Sequence, residues 1–434
     1  MIVISRYKSI LVILLLVCSS LQSLAQTKFK VESLNFEGLK KTKASFLTRI
    51  AKVKAGQETD SVVVVTDIER FKRLDGIAFA DYKVESVGNA GYKITYIVEE
   101  NFSIIPGIRA GQAADDSFSY RFSAFEFNGL GRNIIFGGFF KKEVFNAFGV
   151  FLEHPYLFTN KLGLGVNYMD DSTQQPIFFD PNAIDNGTDY VFTNKGFETI
   201  LFYELNFNNR FEFGVRTSDE SYVLLSDDDD VESINSAEPS IRRTAFRGSH
   251  EYVDIDIEYQ NVSGFRNLFE TTVFSDSNTL LQTDFIINNT TQYFKRIGSK
   301  GNFASQLQLQ FSNPIENSAF APLVIDNQLN TRGVGNITDR GSAIVALNSE
   351  YRHTLLEKGW FVLQGNGFLD VSGVQRPDAN FGDVFSQNTT RVYSGLGVRF
   401  IHKYIFNAVL RFDYGINVTG NGANGFVFGI GQYF

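Results

Sequence analysis

Gly425 to Phe434 reads GFVFGIGQYF, and this stretch decides the fold. Phe426, Phe428, Ile430 and Phe434 fall on one side of a period-two pattern, while Gly425, Gly429 and Gly431 fall on the other. That spacing predicts a strand running to an aromatic chain end, with one apolar face and one mostly small face. A transmembrane β-barrel needs such a strand, because lipid lies outside it and water or a loop inside.

At the other end, Arg6 and Lys8 precede the apolar run Ile10 to Val17, and Ser23-Leu24-Ala25 offers the small residues of a cleavage site. Residues 1–25 are therefore expected to be a signal peptide that is removed. The run is shorter than the roughly 20 apolar residues a membrane helix needs. The single cysteine, Cys18, follows Val17 rather than the Gly or Ala of a lipoprotein site, so it is expected to leave with the signal. The mature chain then forms no internal disulfide. Export signal and closing strand together point to the cell outer membrane.

Composition agrees. No later segment approaches about 18 continuous apolar residues, but a closed sheet can cross lipid with only alternate side chains apolar. Phe 44 and Tyr 18 against Trp 1 suit aromatic girdles. Residues 26–101 hold 13 Lys and Arg against 11 Asp and Glu, a net charge of +2, and residues 102–434 hold 25 against 37, a net charge of −12. Neither part has the basic surface that nucleic acid requires. The acidic run Asp227 to Asp230 is expected in a solvated loop; it lacks the glycine and spaced ligands of a calcium loop.

Residues 26–101 read as a small α+β domain of order β-α-α-β-β. Phe29 to Phe36 alternates as a strand, Thr42 is placed to cap a helix ending at Ile50, and Asp60 or Ser61 a second. In that second helix Val62, Val65, Ile68, Phe71 and Leu74 follow helical spacing. Phe79 to Val87 and Tyr92 to Glu99 close the unit around the turn Gly88 to Gly91. At about 10 residues per strand plus alternating short and long turns, residues 102–434 fit roughly 16 antiparallel strands. Alternation is plain in Leu162 to Tyr168, Val253 to Tyr259 and Gln306 to Phe311, with the polar set expected inside.

The most specific constellation lies near the C-terminus. If Val345, Leu347 and Tyr351 face outward, then Asn348, Glu350 and Arg352 face the lumen; on the next strand Gln364, Asn366 and Asp370 do the same. Arg332 and Gly333 sit in the polar stretch before these strands. A loop folding back into the barrel brings the Arg332 fork to the carboxylates of Glu350 and Asp370, with Gly333 allowing a tight tip.

These residues carry a family resemblance. Phe36-Glu37-Gly38, Leu74 to Phe79 and Thr95 to Asn101 resemble a POTRA domain of the BamA-like outer-membrane assembly and translocation superfamily. Arg332, Gly333, Phe368 and Asp370 match that family's hydrophobic-Arg-Gly-aromatic loop motif and its Phe-x-Asp-x-Gly strand motif. The chain departs from them at Thr331, Val334 and Ser372. Asn128 to Asn133, His154 to Phe158, Ser394 to Phe400 and Leu410 to Gly415 resemble further barrel segments of the family.

The resemblance implies a single-POTRA barrel that assembles or translocates proteins at the outer membrane. Its partners would be outer-membrane lipids, an unfolded client polypeptide and other envelope proteins reached through the POTRA domain. The free edge of that domain either pairs with a client strand or the domain is a plain spacer. The lateral seam is expected between a first strand near Ser117 to Glu126, with Ser117, Phe118 and Tyr120, and the last strand, with Phe426, Phe428 and Ile430. Phe434 is the expected terminal barrel signal. A passive pore or lipid-handling channel and a scaffold of an envelope complex remain the alternatives. No enzyme motif appears: His154, His250, His353 and His402 are scattered, and no cofactor or metal is expected.

Overall fold

The computed structural model describes residues 28–88, 91–112, 118–142, 146–176, 189–224, 240–275, 283–313, 322–335, 339–376, 379–405, 408–420 and 424–434. The expected signal peptide, Ser117, Asp227 to Asp230 and part of the turn at Gly88 to Gly91 lie outside these residues.

The N-terminal part contains β1 (Phe29–Glu37), α1 (Ala44–Ile50), β2 (Glu58–Thr59), α2 (Ser61–Lys72), β3 (Ile77–Ser86) and β4 (Tyr92–Glu100). Its sheet has the order β2-β1-β4-β3, with β1 and β4 parallel. The two-residue β2 is too short to show alternation, and the sequence reading missed it. Both helices pack on one face of the sheet, around the fully buried Val31, Leu47, Val64, Phe71, Ile94 and Tyr96. Asp60 caps α2, accepting from the Val62 and Val63 N–H groups at 2.9 and 3.0 Å.

Two local expectations are corrected. Thr42 does not cap α1; the capping position is Lys43, without a side-chain bond, and Thr42 Oγ1 accepts instead from Asn128 of the barrel at 2.8 Å. The buried face of α2 carries Val64, Ile68 and Phe71, while Val62 and Val65 are exposed. Asp67 and Arg70 share the inner face and disguise it in the sequence. Asp67 is buried because its carboxylate is satisfied: it accepts from the Lys52 and Val53 N–H groups at 2.7 and 2.9 Å and from the Tyr96 hydroxyl at 2.9 Å.

Sixteen further strands form one antiparallel sheet in chain order. They begin with β5 (Ile104–Gln112), β6 (Phe118–Gly129), β7 (Ile134–Lys142), β8 (Asn146–His154), β9 (Leu162–Pro176) and β10 (Asp189–Asn206). There follow β11 (Asn209–Leu224), β12 (Ser240–Glu258), β13 (Asn261–Ser275), β14 (Phe285–Ile297) and β15 (Gly301–Ser312). A separate hairpin, β16 (Leu323–Ile325) and β17 (Asp339–Gly341), interrupts the run. The sheet then continues with β18 (Ala343–Lys358), β19 (Phe361–Gln375), β20 (Thr390–His402), β21 (Val409–Asn417) and β22 (Gly425–Ile430).

The strand number agrees with the expectation from length. Residues from strands as far apart as β7, β12, β18 and β21 line one shared cavity of about 700 Å³, so the sheet curls around a common interior. Its outer side exposes alternate apolar residues such as Phe136, Phe148, Phe213, Phe246, Leu347 and Phe412. A band of this extent is foreign to the water-facing surface of an ordinary soluble protein.

Three barrel expectations are corrected. The first strand is β5; Phe118 and Tyr120 belong to β6, one place in from the edge, where they pair with Gln112 and Ala110. Pro106 and Gly107 conceal β5 in the sequence, yet proline is tolerated on an edge strand. The last strand ends at Ile430, because Gly431 adopts φ +88° and turns the tail inward. Phe434 therefore leaves the outward row of Phe426, Phe428 and Ile430 and lines the interior cavity. At the end of β12 the apolar set, Val253, Ile255, Ile257 and Tyr259, lines that cavity, whereas Asp256 and Glu258 pair with Arg296 at 3.1 and 3.0 Å. The N-terminal domain covers this mouth: Arg73 donates to the Phe207 and Val253 carbonyls at 2.8 and 3.1 Å. The apolar side of β12 is thereby the covered one.

Asp67→Ala leaves three donors without their acceptor, which should lower the stability of the N-terminal domain by about 2–4 kcal/mol. Limited proteolysis should cut this domain sooner, with the heat-modifiable gel migration of the barrel unchanged.

Candidate functional site in the lumen and at the seam

The connection between β15 and β18 folds into the lumen. Asp326 starts its tip: the Asp326 carbonyl accepts from Asn330 and Thr331 N–H, and the Asn330 side chain donates back to the Val324 carbonyl at 2.9 Å. Asn348 on β18 donates to the Asn330 carbonyl at 2.9 Å, fixing the tip to the wall. Gly333 has φ +90°, and a Cβ there would stand 2.8 Å from the Gly415 Cα. Gly415 and Gly425 face the same contact from β21 and β22. The tip is pressed backbone to backbone on the last hairpin, which only glycines permit.

Arg332 is 0% exposed. Its guanidinium meets Asp370 in a fork, with Nε 2.9 Å and Nη2 2.8 Å from the two carboxylate oxygens, and its backbone N–H adds a bond of 3.0 Å. Nη1 donates to Glu350, which also receives Arg352 and, at 3.4 Å, Arg399. Arg399 in turn meets Asp413 at 2.8 Å. Three arginines thus face three carboxylates across β18 to β21, and each of these six charges has a partner of opposite sign, as buried ions require. The Arg332 guanidinium lies between two aromatic faces, 3.8 Å from the Phe368 ring centre and 4.5 Å from that of Tyr433.

The three departures from the family motif are coherent. Thr331 and Ser372 join hydroxyl to hydroxyl at 2.6 Å, so the two polar replacements answer each other. Val334 packs in a small cluster with Leu323, Ile325, Ile344 and Val374.

Sequence reasoning placed Arg332, Gly333, Glu350 and Asp370, and the structure brings all four together. It missed Arg399, Asp413 and Tyr433. The first two were visible as inward members of alternating strands, opposite Val398 and Phe400, and Phe412 and Tyr414. Tyr433 was hidden, because nothing in the pattern announces that the strand stops three residues earlier. The tail is held inside by the Tyr433 hydroxyl, which donates to the Asn327 carbonyl at 3.2 Å, and by Arg352, which donates to the Phe434 carbonyl at 2.9 Å.

The segment entering β5 reaches across the seam. Phe102 N–H bonds the Tyr404 carbonyl at 2.8 Å, joining this segment to the turn between β20 and β21. The segment that leads into β5 is thereby tied to the far side of the seam at the mouth that carries the N-terminal domain.

That domain docks firmly. Lys41 reaches Glu126 at 2.5 Å, Arg70 reaches Glu204 at 2.6 Å, and Phe46 packs edge-on against Tyr156. Glu100 holds the docking loop by accepting from the Lys40, Lys41 and Thr42 N–H groups at 3.1, 2.8 and 2.8 Å. Burial opposes its charge, but these donors hold its carboxyl below the ordinary range. Asp75 is the opposite case. Burial against the barrel mouth, reinforced by Glu153 and opposed by Arg210, pushes its carboxyl up to about 7.

No family model matches the chain, and no curated protein is similar to it in sequence. Solved structures do match. BamA from Haemophilus ducreyi lacking POTRA domains 1–3 superposes with a TM-score of 0.56 at 14% identity, covering 92% of this chain and 83% of that one. CdiB from Acinetobacter baumannii gives 0.57 at 10% identity, covering 92% and 72%, and CdiB from Escherichia coli 0.58 at 11%, covering 92% and 73%. The fold is that of the BamA and CdiB barrels.

Arg332→Ala leaves the buried Asp370 carboxylate without its cation, while Glu350 keeps Arg352 and Arg399, and should cost about 3–5 kcal/mol, the usual loss when one partner of a buried pair is removed. The temperature of the heat-modifiable gel shift should fall, and Arg332→Lys, which lacks the fork, should recover only part of the loss. Docking of the N-terminal domain should depend on pH. Asp75 keeps its proton when docked up to about pH 7, whereas an exposed Asp loses it near pH ~4. The Asp75 contribution to docking is therefore full below that window and is lost as pH rises through it. Proteolysis near Asn101, measured relative to Asp75→Asn at each pH, should be faster at pH 8 than at pH 5.5.

Proposed function

We propose that this protein is an outer-membrane barrel, residues 102–434, that assembles or translocates other proteins, with residues 26–101 as a POTRA-type domain in the periplasm. The observation that carries this reading is the lumen loop bound through Arg332 to Asp370 in a barrel of the BamA and CdiB fold, with an α+β domain docked on one mouth. The work would be noncovalent. An unfolded client would reach the N-terminal domain, where β3 is an outer strand of its sheet, and would then pair main chain to main chain at the β5 and β22 edges.

The seam suits that task. Six residues of β22 are paired with β21, against 16 and 15 between β10 and its neighbours β11 and β9, so the last strand has few ladder bonds to lose. A loop and the chain's own tail occupy the lumen, which speaks against a freely conducting pore. Lipids would contact the outer apolar face, and other envelope proteins would be reached through the N-terminal domain.

The test is a disulfide scan between cysteines along Ile104–Gln112 and along Gly425–Ile430, in cells whose outer-membrane protein content and secretion are followed. Locking should halt assembly or secretion and reduction should restore it. A locked seam with no effect would overturn the reading in favour of a scaffold or channel.

A further inference from the structure

The main-chain groups at the seam follow from the phase of the ladder, since antiparallel neighbours alternate bonded and non-bonded pairs. Gly431 N–H bonds the Val409 carbonyl at 2.8 Å, on the register that places Phe412 opposite Phe428. The odd-numbered residues of β22 are thus bonded to β21, and Phe426, Phe428 and Ile430 turn their N–H and C=O groups toward the seam. On the other edge, Phe127 N–H bonds the Ser103 carbonyl at 2.9 Å, on the register that places Ile105 opposite Phe125. Ile104 and Pro106 therefore face the seam, and Pro106 has no N–H to offer there.

The Phe428 carbonyl has a partner of another kind. Gln328, in the lumen loop, donates Nε2 to it at 3.1 Å. The same side chain accepts at Oε1 from Arg411 Nη2 at 2.9 Å, and the Gln328 backbone N–H is held by the Asp326 carboxylate at 2.7 Å. The amide is gripped from behind and presents one donor to the edge. It stands where the N–H of a neighbouring strand would stand.

We propose that Gln328 is an exchangeable cap on the seam edge, occupying the carbonyl of Phe428 until an incoming strand supplies its own N–H in its place. This rests on the strand-pairing function proposed above. The exchange replaces one amide–carbonyl bond by another, so it is close to neutral and sets no large barrier. Through its backbone N–H on Asp326, Gln328 belongs to the turn that precedes Arg332, which links edge occupancy to the loop.

The test uses the full chain carrying Phe428→Cys in lipid nanodiscs, and a synthetic peptide with the nine-residue β5 sequence, P106V and an added cysteine. The rate of disulfide capture is measured for variants that keep the wild-type heat-modifiable migration. Gln328→Ala removes the competing donor and should raise capture about fivefold, the worth of one ordinary net hydrogen bond. Gln328→Glu still accepts from Arg411 but cannot donate, and should match Gln328→Ala. A Glu variant at the wild-type rate would mean that the Arg411 contact alone matters, and equal capture by all forms that the cap is idle; either result overturns the proposal and leaves strand pairing standing. Capture by none of the forms overturns strand pairing and this proposal together.

Discussion

A guanidinium with no exposed surface is the constraint on which the rest of this molecule depends. Taking Arg332 out of water costs several kcal/mol unless its charge and donors are all answered. The answer takes Asp370 and Glu350 from two strands, and these must share a face and a depth. Glu350 draws in Arg352 and Arg399, and Arg399 draws in Asp413. The wall from β18 to β21 is thereby a single electrostatic unit around one loop residue. Its rings, Phe368 and Tyr433, exclude water from both faces of the fork.

The same loop supports the weakest part of the sheet. β22 is short, and its support comes largely from inside: Gly333 against Gly425 at one end, Gln328 at the Phe428 carbonyl, and Asn327 with Tyr433 at the other. Phe102 reaches the Tyr404 carbonyl, tying the segment before the first strand to the turn between β20 and β21 where the N-terminal domain sits. Loop and tail are two parts of one arrangement, and loosening one removes a contact of the other.

The N-terminal domain completes the enclosure. Arg70, Arg73 and Lys41 bind the barrel rim, and the carboxyl of Asp75 is brought into the mouth beside Glu153. The apolar stripe of β12 from Val253 to Tyr259 makes sense only with that domain in place.

Alternation in the sequence was enough to determine many antiparallel strands and the shared side of Asn348, Glu350, Arg352 and Asp370, because a strand's side-chain period is set by its backbone; the export signal and the aromatic last strand, not alternation, made the sheet a barrel, and helical spacing gave the α+β domain ahead of it. The loop motif was legible from Arg332 and Gly333. Tertiary structure alone decided what each face meets. Period two says which residues share a side, and it is silent on whether that side meets lipid, water, a loop or another domain; hence the reversed reading of β12. It is equally silent on where a ladder stops and on which residues aim their main-chain bonds outward. Pro106 hid the true first strand, Gly431 turned Tyr433 and Phe434 inward, and Gln328 found its carbonyl, each through a contact between segments that only the closed fold brings together.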